Sequence, residues 1–87
     1  MNSLDRRIEA ILFAIARPVQ QKELATMLSV SPDDIRVASN ELKERLEASA
    51  SGLQLVTQGN ELELVTHGDM GEDVRLALKQ EASSELS

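Results

Sequence analysis

The chain has 87 residues, enough for one domain with a modest hydrophobic core. Apolar residues make up 41% of it, but Phe13 is the only aromatic, so Leu, Ile, Val and Ala must build that core. Its 15 acids against 9 bases give a net charge of −6, which argues against a main task of neutralising phosphates, and the lack of cysteine removes disulfides, thiolate catalysis and thiolate metal sites together.

No apolar run approaches the roughly 20 residues that span a bilayer, and the opening MNSLDRRIEA is too polar and acidic for a secretory signal. The expectation is a cytoplasmic protein that makes no membrane contact. Residues 1–82 read as one domain and 83–87, lacking a packing pattern, as a frayed tail.

Ser3 suits the N-cap of a first helix over residues 4–16, with Asp5 in its first turn. Leu4, Ile8, Ile11 and Ile15 recur at helical spacing and Leu12 widens the stripe. Phe13 lies well round from that stripe, so the helix is either central to the core or turns a second face to a protein partner. Ile8, Leu12, Phe13 and Ile15 are the residues to divide between packing and self-association.

Arg17-Pro18-Val19 ends this helix, because proline disfavours helical geometry in the residue before it, and Val19 fits a very short strand. Residues 22–29, KELATMLS, form a second helix with Leu24, Ala25 and Leu28 inward. Ser31 caps a third, with Pro32 in its first position, Asp34 placed for a capping box, and Ile35, Ala38, Leu42 and Leu46 as its apolar stripe. The second and third helices make a helix-turn-helix pair.

From residue 53 the period becomes two. Leu53, Leu55 and Thr57, then Leu62, Leu64 and Thr66, alternate with their neighbours around Gly59-Asn60, a two-residue hairpin turn with glycine first. Beyond Gly68 and Gly71 a last helix begins near Glu72, with Val74, Ala77 and Leu78 as its apolar contacts. The fold class is therefore α+β, a winged helix-turn-helix of three helices, a two-stranded hairpin wing and a C-terminal helix.

A winged helix suggests duplex DNA, read by the third helix with the hairpin on the backbone. Arg36, Asn40 and Lys43 would have to carry that contact. Against it stand the five acids Asp33, Asp34, Glu41, Glu44 and Glu47 on the same helix, and a hairpin tip, Gln58-Gly59-Asn60-Glu61, without a base. His67 with Asp69, Glu72 and Asp73 follows no metal-ligand spacing and reads as a polar turn. Gly68 and Gly71 lack the spacing and lysine of a phosphate loop, and nothing signals a catalytic triad. No enzyme, metal or cofactor is expected.

Glu9-Ala10-Ile11-Leu12-Phe13 followed by Arg17-Pro18-Val19 resembles the opening helix and proline turn of the ScpB family of segregation and condensation proteins. The likeness continues through Glu23-Leu24-Ala25, Ile35, Glu41-Leu42, Gly52-Leu53-Gln54-Leu55-Val56, Leu62-Glu63-Leu64-Val65-Thr66, Val74 and Leu78. It covers nearly the whole chain, and its weight lies in the combination. Asn60-Glu61 departs from the glycine and aromatic residue that the family tends to show in the hairpin.

The resemblance implies the N-terminal winged helix of a protein that works with the kleisin ScpA and the bacterial SMC ATPase in chromosome condensation and segregation. It also implies homodimerisation through this half, while a second winged helix in family members is associated with gripping the kleisin. The surplus apolar surface around Ala10, Phe13 and Ala14 gives self-association a physical motive of its own.

Overall fold

Ser31 fixes the start of the longest helix: its hydroxyl accepts the Asp34 N–H at 3.1 Å, and the Asp34 carboxylate accepts the Ser31 N–H at 3.3 Å. This reciprocal pair satisfies two of the orphan donors at the helix start. In the computed structural model, which describes residues 3–86, that helix is α3, Pro32–Ala48. It follows α1 (Leu4–Ile15), β1 (Val19–Gln20) and α2 (Gln21–Leu28), and precedes β2 (Leu53–Gln58), β3 (Glu61–Thr66), a 3-10 turn (Gly68–Met70) and α4 (Gly71–Leu86).

The stripe Ile35, Ala38, Leu42 and Leu46 is buried throughout, and α3 packs on α1, α2 and β2. Ile8 and Leu12 of α1, Leu24 of α2, Val19 of β1, and Leu55 and Leu62 of the hairpin close around it into one core. Each such side chain taken fully out of water contributes about 1.5–3 kcal/mol. Ser39, buried among them, turns its hydroxyl back to the Ile35 carbonyl at 2.6 Å and so leaves no unpaired polar group.

The wing belongs to a three-stranded antiparallel sheet in the order β1-β3-β2. Val19 pairs with Leu62 and Gln20 with Glu61, so the short stretch after Pro18 adds a strand to the expected two-stranded hairpin. In the hairpin Leu55 faces Leu64 and Gln58 faces Glu61. Gly59 turns at φ +61°, and Asn60 has no positive φ, the pattern of a glycine-first hairpin turn.

Helix α1 stops one residue short of the expected boundary because Ala16 adopts the left-handed conformation, φ 57°, and its N–H closes on the Leu12 carbonyl. The expected contacts of the last helix also differ. Val74 is half-buried, whereas Ala77 is exposed and Leu78 is 65% exposed, because α4 packs chiefly on the 3-10 turn before it and not on the core. It includes residues 83–86 of the expected tail; Ser87 lies outside the described residues.

Candidate functional site: the outer face of the first helix

An α-helix of 12 residues that packs one stripe on a core leaves its opposite face to solvent, and on α1 that face carries Ala10, Phe13 and Ala14 together with Arg6 and Arg7. Ile8 and Leu12, 0% and 1% exposed, belong to the core and cannot meet a partner. Ile15 is half-buried and packs against the same core. Phe13 is 71% exposed, flanked by exposed Ala10 and Ala14. The four residues grouped in the sequence thus separate into three that pack and one that projects.

Phe13 does not stand alone. With Ala10, and with half-buried Leu53 and Leu64 of the hairpin, it lines a shallow depression of about 300 Å³, rimmed by Arg6 and Glu9. A ring in water beside further apolar surface and a mixed-charge rim has the anatomy of a small protein–protein contact.

The helix that carries this face is clamped to α3. The Arg45 guanidinium donates to Asp5 at 2.9 Å and to Glu9 at 2.7 Å. Asp5 is almost buried, and hydrogen bonds from Ser3 and then from Arg45 hold its carboxyl below the usual aspartate range. Glu9 and Asp5 together hold the Arg45 guanidinium above its ordinary value. The Ser3 hydroxyl, expected to cap the helix, makes no capping bond. No local sequence pattern joins residues 40 positions apart, so the clamp is a product of the tertiary fold alone.

The other candidates are placed differently. Arg36, Asn40 and Lys43 share one exposed face of α3, but Arg36 folds back onto Asp33 with bonds of 3.1 and 2.9 Å. Its charge is committed within the helix, beside further acids. His67 Nδ1 accepts the Asp69 N–H at 3.0 Å and thereby caps the 3-10 turn. Among the described residues no group of three or more His, Asp or Glu side chains is placed to hold a metal. No helix there is long and apolar enough to cross a membrane.

The model of the family described as "Segregation and condensation complex subunit ScpB" matches residues 6–87. The chain belongs to the ScpB family. Among ScpB relatives, the segregation and condensation protein B of Caldanaerobacter subterraneus is 36% identical over 81 residues, 93% of this chain and 48% of its own. That of Lactobacillus johnsonii is 30% identical over 89 residues, 100% of this chain and 45% of its own. The chain thus spans about half the length of these relatives.

Two solved structures share the fold. A dimer of an ScpB N-terminal domain complexed with an ScpA peptide superposes with a TM-score of 0.80 at 23% identity, over 88% of this chain and 93% of that one. ScpB from Mycobacterium tuberculosis gives 0.83 at 23% identity, over 91% of this chain and 49% of that one. Both identify the winged-helix fold of the ScpB N-terminal half.

Proposed function

We propose that this chain is a non-enzymatic interaction module that homodimerises through the outer face of α1 and serves a bacterial SMC–kleisin complex in chromosome condensation and segregation. The observation that carries self-association is the exposure of Phe13 on a helix whose opposite face already fills the core. ScpB membership carries the setting, and the relative crystallised as a dimer with an ScpA peptide supplies the partner, an ScpA-like kleisin that links the module to SMC. The place of action is then the cytoplasm, on the nucleoid.

The mechanism is geometric. A two-fold dimer presents two copies of each attachment surface, and once one is engaged the second binds at a high effective concentration. Binding of duplex DNA through Arg36, Asn40 and Lys43 is disfavoured by the Arg36–Asp33 pairing and the net charge of −6.

Sedimentation velocity over a concentration series tests this. Twice the 9.5 kDa chain mass, and co-migration with ScpA, are expected. A strict monomer, or tight duplex binding at physiological salt that Arg36→Ala and Lys43→Ala abolish, would overturn it.

A further inference from the structure

Strand β2 is an edge. Among the described residues its only partner strand is β3, and the alternation that pairs Gln54, Val56 and Gln58 with β3 turns the backbones of Leu53, Leu55 and Thr57 outward. The same parity appears one residue earlier, where the Gly52 carbonyl accepts the His67 N–H at 2.7 Å. The Leu53 N–H is taken by the Ser51 hydroxyl at 3.0 Å. The N–H and C=O of Leu55 and Thr57 have no protein partner among the described residues.

Proteins usually protect such an edge with charge, proline or brevity. The other edge of this sheet is protected: β1 has two residues and follows Pro18. The β2 edge, LQLVTQ, has six residues with no charge, proline or glycine. It lies within an uncharged run, residues 48–60, of a chain in which 28% of residues are charged.

Beside this edge is a cleft of about 300 Å³, lined by the consecutive β2 residues 53–57, by Lys43, Leu46 and Glu47 of α3, and by His67. Lys43 and Glu47 are four residues apart on α3, about 6 Å along the axis. Alternate side chains of a strand repeat at about 6.8 Å, close enough to meet both in succession.

We propose that the open β2 edge and the cleft beside α3 take up an extended segment of a partner polypeptide as a fourth strand, apolar where it crosses Leu46, with an acid for Lys43 and a base for Glu47. This rests on the reading that the chain works with a kleisin, and it names where and in what conformation a kleisin segment binds. Main-chain bonds to Leu55 and Thr57 supply affinity, and the charge pair sets the strand's direction.

The test is amide hydrogen exchange by NMR on the full chain, free and with overlapping synthetic peptides tiling the ScpA of the same genome. Leu55 and Thr57 amides exchange fast in the free chain and slow by about tenfold or more on binding, whereas Gln54 and Val56 stay slow in both states. Thr57→Pro removes an outward N–H and spares the β3 ladder, so it weakens peptide binding about tenfold while circular dichroism and dimer mass hold. Lys43→Glu, which touches no backbone bond, weakens binding too and guards against a folding defect in the proline variant.

Peptide binding without protection of Leu55 and Thr57 overturns the proposal and leaves the functional reading intact. Protection that grows with chain concentration alone overturns it in favour of a second copy on the edge. If no ScpA peptide binds, the proposal falls together with the kleisin reading, and dimer mass still tests the remainder.

Discussion

Phe13→Glu separates folding from association because the structure divides the ring's surface so unequally. Of roughly 200 Å² that a phenylalanine can bury, 71% exposure leaves about 140 Å² open in one subunit and about 60 Å² covered. At about 25 cal/mol per Å² these correspond to about 3.5 and 1.5 kcal/mol. The substitution therefore costs the isolated fold at most about 1.5 kcal/mol. In a two-fold dimer both open faces meet, so the ceiling on what the two rings contribute is about 7 kcal/mol, reduced by the cost of association. A dimer constant weakened by at least about a hundredfold is the expected outcome. Sedimentation equilibrium gives the constant, and urea unfolding below it gives the fold's own stability. An unchanged dimer constant would refute the reasoning, as would loss of the fold itself, since that would place Phe13 in the core.

Ile8→Ala and Leu12→Ala should behave in the opposite sense: each costs about 2–5 kcal/mol in urea unfolding, while any molecules that remain folded dimerise with the original constant. Arg45→Ala strands a nearly buried carboxylate, and because the guanidinium is itself 41% exposed the loss is set at about 1–2 kcal/mol. The same clamp makes an acid-limb prediction. The folded Asp5 pKa lies below the ordinary 3.8, so its contribution is fully present above that value and is lost as pH falls through the folded pKa. Stability measured from pH 7 down to strongly acid pH should drop more steeply in the parent chain than in Arg45→Ala, and parallel curves would count against the clamp. Ser31→Ala removes one arm of the capping box and should cost about 1 kcal/mol by thermal or urea unfolding.

What could be read in the sequence was local chemistry with one solution. The Ser31-Pro32-Asp34 start, the buried stripe of α3 and the Gly59-Asn60 turn each depend on neighbours a few residues away, and each stands as expected. The division of α1 was not legible, because AILFAIA is apolar all round and only the packing of α3 and the hairpin decides that Leu12 goes in and Phe13 out. The Asp5–Arg45–Glu9 clamp joins residues that only the tertiary fold brings together. The open edge of β2 depends on sheet order, which alternation alone does not specify: the two residues of β1 join β3 and leave β2 bare. The expected packing of Leu78 failed for a related reason. Helical spacing says which residues share a face, but not whether anything lies opposite.

That last helix has a mechanical consequence. Its 16 residues extend about 24 Å from the 3-10 turn that is its main support, so a tilt of about 10° at that turn swings the far end by about 4 Å. The His67–Asp69 bond that pins the turn is therefore a fulcrum, and a small rearrangement there is magnified along the arm.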